Sequence, residues 1–224
     1  SHHQEAPVRI MSNFEYIISS LPYVTADFKY EEGQGFGQVI DEIKENLGDR
    51  DTETLDFLLK GFEPDSLNED FYAEALSHSL RFIREYFRFD LNLRNAKVRY
   101  LNKELGRPED QDLILGNIKQ EDVELDIDLF RFQTGEFEEN AKVETALTLG
   151  DLLSREKELD DIVWEKVNAL ETFHYFDITA VLAYVAKLHI VNRWLALDQE
   201  KGRELFRQLV SEVRGTFKGV KYTE

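Results

Sequence analysis

Apolar residues recur every three or four positions along most of this chain, which is the spacing of an amphipathic α-helix. The longest such pattern begins at a capping box, Ser66-Leu67-Asn68-Glu69, and stops before Pro108. Its positions fall into two stripes: one comprises Leu76, Leu80, Ile83, Phe87, Leu91, Val98, Leu101 and Leu105, and the other Phe82, Tyr86, Phe89, Leu93 and Tyr100. We therefore predict one long helix that is contacted from two sides.

Helical patterns are also present on either side of this stretch. Residues 14–21 fit both a helix and an alternating strand, and we favour the helix. The helical period returns over 152–170, and Asp177 is predicted to cap a further run that reaches Leu195. A separate last helix is predicted to open at Asp198, with an apolar stripe made by Leu205, Leu209 and Val213.

Two segments are less regular. Gly33, Gly35 and Gly37 predict a flexible turn before a helix. A phosphate-binding loop is not expected, because the segment has no third glycine at the spacing GxGxxG and no Walker lysine. Alternating apolar residues between 123 and 129 fit either a strand or a short exposed helix. The predicted fold is therefore mainly all-α, an elongated multi-helix bundle with long core helices and room for a minor β element at 120–130.

The chain is divided simply. Ser1-His2-His3 is typical of a purification tag, so residues 1–10 are predicted to be a disordered tag or leader and Met11 the natural start, with no signal peptide after it. Residues 11–224 are predicted to form a single helical domain, either undivided or arranged as two lobes, 11–107 and 108–224.

Composition limits the classes of partner. Lys and Arg number 27 against 45 Asp and Glu, so the formal net charge is −18, which disfavours nucleic acid and anionic lipid and favours a basic protein surface. The chain has no Cys, which excludes thiolate catalysis and Cys-based metal sites and fits a reducing compartment. Charged residues interrupt the most apolar stretch, 175–197, which is therefore predicted to be a core helix and no membrane span.

Few residues are arranged for chemistry. Glu171 and His174 have the spacing of di-iron helical bundles, but a second such pair is missing, so a structural histidine on an aromatic helix beside Phe173, Tyr175 and Phe176 is the preferred interpretation. Neighbouring residues on a helix diverge, so Ser77-His78-Ser79 is not expected to be a catalytic pair. For the same reason the pairs Asp160-Asp161 and Glu138-Glu139 are expected to be solvated acids. Trp164 and Trp194 occupy apolar helical positions and are expected in the core. No catalytic residue, metal site or cofactor is predicted.

One stretch departs from the overall acidity. Residues 67–107 carry eight basic and six acidic side chains, whereas the chain beyond Pro108 is strongly acidic. The arginines are either internal partners for the acidic segment or a docking face for another protein, and internal pairing is preferred. If they form a docking face, the first candidates are Arg81, Arg84, Arg88 and Arg99.

Several motifs resemble a bacterial family of uncharacterised proteins that is encoded among the genes of V-type ATPases. The first is 14–22 (FEYIISSLP), which ends in Ser-Leu-Pro after an aromatic-rich opening. The others are 89–94 (FDLNLR), 157–164 (KELDDIVW), 173–176 (FHYF), 184–188 (YVAKL) and 193–198 (RWLALD). Segment 89–94 is also similar to helices of the V-type ATPase C subunit, and together the motifs span nearly all of the chain after Met11.

This resemblance implies a helical protein that stands in for the V-type ATPase C subunit, which is called d in eukaryotes. Such a protein sits on the membrane rotor ring and receives the central shaft, without catalysis. The expected partners are therefore the shaft and membrane-ring subunits of a V-type ATPase, and the expected location is cytoplasmic, peripheral to the inner membrane. Two alternatives stay open: a helical-bundle metalloenzyme built on Glu171 and His174, and a transient assembly factor for the ATPase.

Overall fold

The computed structural model describes residues 13–22, 24–25, 28–114 and 137–217, and regular structure in this part is entirely helical. In chain order the α-helices are α1 (Asn13–Ser20), α2 (Phe36–Glu45), α3 (Asp49–Lys60), α4 (Glu69–Leu76), α5 (Arg81–Glu104), α6 (Asn140–Leu147), α7 (Leu152–Glu171) and α8 (Ile178–Phe217). The predicted all-α class and the helix at 14–21 are confirmed. Residues 1–10 and the alternating pattern at 120–130 lie outside the described residues.

The helix predicted to start at the capping box begins two residues later than expected. Ser66 ends a short 3-10 turn, Pro64–Ser66. The side chain of Asn68 is the actual cap, since its Oδ1 accepts a hydrogen bond of 2.9 Å from the backbone N–H of Phe71. Asn is as good a cap as Ser, so the sequence offers two competing starts only two residues apart.

That helix was also predicted to be continuous to residue 105, and this is wrong. It stops at Leu76 and restarts at Arg81, because polar side chains satisfy the backbone groups that a helix would otherwise pair. The imidazole Nδ1 of His78 accepts a hydrogen bond of 3.0 Å from the N–H of Leu80. The guanidinium of Arg84 donates to the carbonyls of His78 and Ser79, at 2.8 Å each.

The C-terminal helices differ from expectation at one point. Asp177 caps α8 as predicted, with Oδ1 accepting a hydrogen bond of 3.0 Å from the N–H of Ala180. The separate helix predicted to open at Asp198 is wrong, because α8 continues without a break for 40 residues, from Ile178 to Phe217. No proline interrupts this stretch, and its two glycines, Gly202 and Gly215, cost only about 1 kcal/mol each inside a helix.

Two hydrophobic clusters form the core, and α5 contributes to both. The larger cluster surrounds the first half of α8 and receives Ile83, Phe87 and Leu91 from α5. The smaller one joins α5, through Phe89 and Leu93, to α6 and α7. The prediction that both faces of α5 are contacted is therefore confirmed. The larger cluster takes residues from either side of position 107, and the division into two lobes stays a prediction.

Two buried asparagine side chains of α5 bind the backbone of residues 109–114, the segment that follows this helix. The side chain of Asn95 donates to the carbonyl of Ile114 (3.0 Å) and accepts from its N–H (3.1 Å), so it pairs with both backbone polar groups of this residue. About two turns further along α5, Nδ2 of Asn102 donates to the carbonyls of Glu109 (3.1 Å) and Gln111 (2.8 Å). These bonds satisfy backbone groups that no helix pairs, and they fix residues 109–114 against the bundle.

Among the described residues one segment, Ile178–Leu197, is long and apolar enough to cross a membrane by length and composition alone. Half of this segment is buried within the protein. Its side chains Val181, Leu182, Val185 and Leu188 are fully inaccessible and belong to the larger cluster. It therefore packs as the predicted core helix.

Gly61 tests the packing between α3, α4 and α5. Its φ of −68° suits any residue, but an added Cβ would lie 2.3 Å from ring atoms of Phe87 and 3.0 Å from Phe71. We expect Gly61→Ala to lower the free energy of unfolding by about 1–3 kcal/mol in chemical denaturation. Gly37→Ala is the matched control: its Cβ meets nothing within 4 Å on the exposed side of α2, so this variant should gain up to about 1 kcal/mol. Equal stabilities for the two variants would contradict the packing described.

His189 makes stability depend on pH. Its ring stacks on Phe62 with centroids 4.0 Å apart, and burial, reinforced by the charge of Arg193, lowers the pKa of His189 to about 4 from 6.5. The unfolded chain therefore binds this proton more readily than the folded one. The contribution is complete above pH 6.5 and is lost as pH falls towards 4, by about 3 kcal/mol at most.

The comparison variant is His189→Phe, which keeps an aromatic ring against Phe62 but does not titrate. The difference in unfolding free energy between wild type and variant should move in favour of the variant between pH 6.5 and 4. A difference that stays constant over this range would show that His189 is protonated as easily in the folded protein as in the unfolded chain.

Candidate functional site

The turn between α7 and α8, residues 172–177, carries three large exposed aromatic side chains. Phe173 is 84% exposed, Tyr175 69% and Phe176 53%. Large aromatic residues normally bury most of their surface, and several exposed together mark sites of protein–protein contact. We call residues 172–177 the aromatic loop.

One carboxylate ties the middle of the aromatic loop to the start of α8. Asp177 uses Oδ1 to cap α8, and its Oδ2 lies 2.6 Å from Nδ1 of His174, which donates the hydrogen bond. The backbone N–H of His174 donates to the carbonyl of Glu171 at 2.8 Å, which closes the turn at the end of α7. The loop is therefore held in one shape while its aromatic rings project outward.

An ion pair fastens the base of the loop. The carboxylate of Glu171 binds the ammonium of Lys187, and that ammonium lies 5.5 Å above the ring of Trp164. Glu171 and His174 thus contact different partners, Lys187 and Asp177. The described residues contain no group of three or more His, Asp or Glu placed to hold a metal ion.

The backbone at Phe173 is strained. Its φ is +68°, a left-handed conformation that costs an L-residue roughly 1–2 kcal/mol and that Gly or Asn adopts more readily. The ring is too exposed to recover this cost by packing. The prediction that these aromatic residues lie on a helix is wrong, because the chain leaves the helical conformation at Thr172, whose ψ is 127°, and turns at Phe173 through its positive φ.

The arginines predicted as a docking face lie on α5 and have different environments. Arg81 is exposed, whereas Arg84, Arg88 and Arg99 are half-buried. Arg84 binds the two backbone carbonyls between α4 and α5, and Nη1 of Arg88 lies 3.2 Å from Oε1 of Glu85.

Burial lowers the pKa of the Arg99 guanidinium, and the charge of Glu109 opposes this shift. Arg84 and Arg88 thus bind groups that precede Pro108, whereas the charge that acts on Arg99 belongs to an acid beyond it, and the internal pairing with the acidic segment stays a prediction. The docking face itself stays a prediction.

Two carboxylates expected to be solvated are instead internal partners. Asp160 is 7% exposed and accepts hydrogen bonds from Nε1 of Trp194 (2.8 Å) and Nη1 of Arg193 (3.1 Å). Burial raises the pKa of Asp160, and the charge of Arg193 opposes this shift. Glu139 pairs with Lys166 at 2.9 Å in a mostly buried contact. Helical spacing shows which acids diverge along one helix, but it does not show which basic groups another helix brings.

Trp164 and Trp194 are both half-buried. Trp164 packs against the larger cluster, as expected for a core residue, and Trp194 also uses its indole N–H to bind Asp160. The aromatic loop is thus the site that sequence reasoning missed: residues 173–176 are aromatic in sequence, but exposure depends on a backbone reversal that the hydrophobic pattern does not reveal.

A model of the family described as "Protein of unknown function (DUF2764)" matches residues 62–216. The match covers α4 to α7, almost all of α8 and the whole of the aromatic loop. Comparisons with curated proteins and with solved structures found no match.

Replacement of Phe173 tests whether this residue lowers the stability of the folded protein. We expect Phe173→Asn to raise the free energy of unfolding by up to about 1 kcal/mol, because Asn tolerates a positive φ and the exposed ring contributes little packing. Chemical denaturation measures this change, and Tyr175→Asn is the matched control, since it removes an exposed aromatic ring from a residue with no positive φ. A loss of stability in the Phe173 variant would mean that the ring packs in solution.

Proposed function

We propose that this chain, which belongs to the DUF2764 family, is a non-catalytic subunit of a V-type ATPase. In this role it is a helical adaptor, similar to the V-type ATPase C subunit, that couples the central shaft to the membrane ring during proton or sodium transport. It acts on the cytoplasmic side and is peripheral to the inner membrane through its contacts with the complex. The resemblance of segments 14–22, 89–94, 157–164, 173–176, 184–188 and 193–198 to proteins encoded with V-type ATPases supports the assignment.

The observation that carries the docking role is the aromatic loop. Aromatic residues dominate the energetically important centres of protein–protein interfaces. Because Asp177 ties His174 to the start of α8 and the N–H of His174 closes the turn at Glu171, little conformational freedom is lost when a partner covers the loop. Phe173 keeps an aromatic ring at a position where Asn or Gly would be more stable, which is the pattern expected of a residue retained for binding.

Two further properties suit an adaptor. First, α5 is packed on both sides and the first half of α8 lies in the larger cluster, so the structure has long, close-packed elements that deform little. Second, a net charge of −18 favours partners with basic surfaces and speeds their encounter.

Two other functions compete with this one. A transient assembly factor would use the same aromatic loop, and it differs from a permanent member of the ATPase only in its stoichiometry within the finished complex. A metalloenzyme built on Glu171 and His174 would have to take the carboxylate of Glu171 from Lys187, whereas His174 could use Nε2 with Nδ1 still bonded to Asp177.

Affinity purification from native membranes tests the proposal. A handle on this chain should recover catalytic, shaft and ring subunits with one copy of the chain per complex. Recovery of the chain alone, together with an ATPase that is intact without it, would contradict the proposal. Recovery in amounts well below one copy would favour the assembly factor.

Variants then locate the contact. We expect the double variant Tyr175→Ser with Phe176→Ser to reduce recovery of the other ATPase proteins at least tenfold, as loss of an interface centre does. Tyr16→Ser is the matched control, because Tyr16 is 53% exposed but lies on α1. Arg81→Glu tests the predicted docking face at its exposed member, without disturbing the backbone contacts of Arg84. If the control or Arg81→Glu removes the partners while the loop variant keeps them, the contact lies elsewhere.

A further inference from the structure

The hairpin of α6 and α7 has an open groove on its outer side. The two helices run antiparallel: Lys166 pairs with Glu139 at 2.9 Å, and Lys142 with Glu165 at 3.4 Å. Between them lies a cavity of about 520 Å³ that is open to solvent. It shares no residue with the aromatic loop.

The floor of the groove is apolar, and the wall formed by α6 carries small side chains. Ala141 and Thr145, one helical turn apart on α6, are both small, and Leu149 lines the groove just beyond the end of this helix. Below them, Ala146 and Ile162 are 4% and 7% exposed and close the bottom. Small residues on a helix face let another backbone approach closely, since the distance between packed helices is set by the side chains at the contact.

The α7 wall of the groove is acidic. Glu158, Asp161 and Glu165 are spaced by three and four residues, so they share one face of α7, and all three are exposed. The basic side chain that lines the groove is Lys142, and it is already paired with Glu165. The groove therefore combines an apolar floor with a net negative wall.

We propose that this groove binds an amphipathic helix of a partner protein, with Lys or Arg along one face and small apolar residues along the other. A trough between two antiparallel helices has the shape that a third helix fills, at interaxial distances of about 8–10 Å. Basic side chains on the incoming helix complement the acids of α7, and its small apolar face covers the floor. The proposal is independent of the ATPase assignment, because it rests on the groove alone.

A synthetic peptide tests the groove directly. The probe is a 21-residue helical peptide with blocked ends, built from Lys, Ala and Leu so that Lys lies along one face. We expect it to bind the full-length protein at one site in a calorimetric titration at physiological salt. Thr145→Trp should weaken binding at least tenfold, because the indole fills the groove without changing any charge. The triple variant Glu158→Lys, Asp161→Lys, Glu165→Lys should do the same by reversing the acidic wall.

Two controls separate the groove from general attraction to an acidic protein. The triple variant Glu31→Lys, Glu32→Lys, Glu63→Lys changes the net charge by the same amount at exposed acids outside the groove, and it should leave binding within twofold of wild type. A peptide of the same composition in scrambled order should bind at least tenfold more weakly. No binding by the wild type, wild-type affinity in the Thr145 variant, or equal losses in the two triple variants would each overturn the proposal.

Discussion

Burial of two faces of α5 is the constraint on which the rest of the structure depends. Phe87 and Phe89 are only two residues apart, yet one is fully buried in the larger cluster and the other is 3% exposed in the smaller one. Phe87 contacts the rings of Phe57 and Phe71, and Phe89 contacts Phe137. Because a single helix cannot bury opposite faces alone, the elements before and after it must be placed on both of its sides, and the first half of α8 completes the larger cluster.

This constraint is visible in the sequence, whereas the details that interrupt it are not. Two apolar stripes predict contact from two sides, and the position of Asp177 predicts the start of α8. The break between α4 and α5 could not be predicted from the apolar pattern, because it depends on His78 and Arg84 binding backbone groups. Periodicity records which side chains are apolar, and it does not record which polar side chains replace a helical hydrogen bond.

The candidate site was harder to predict than the fold for a related reason. A run of aromatic residues at 173–176 is typical of a core helix, but the ψ of 127° at Thr172 and the positive φ of Phe173 turn the chain outward. Nothing in the residue type favours that conformation, so a rule based on propensity places the segment in a helix. Such a conflict between local preference and observed structure is expected where a side chain is kept for contact with another molecule. The same reasoning separates this loop from Asp160, whose burial is fully explained by Trp194 and Arg193.

Side-chain contacts between α7 and α8 fix the two helices that flank the aromatic loop. Glu171 binds Lys187 near the loop, and Asp160, about three turns earlier in α7, binds Arg193 and Trp194. Partly buried pairs of this kind add little net stability, because the removal of charges from water offsets most of the attraction, but they fix which residues of two helices lie opposite each other. With the register fixed at two places, α7 cannot slide along α8 without leaving the buried carboxylate of Asp160 unpaired. A load applied to the exposed rings would therefore be carried by both helices together, and this is the property that the proposed coupling of shaft and ring requires of an adaptor.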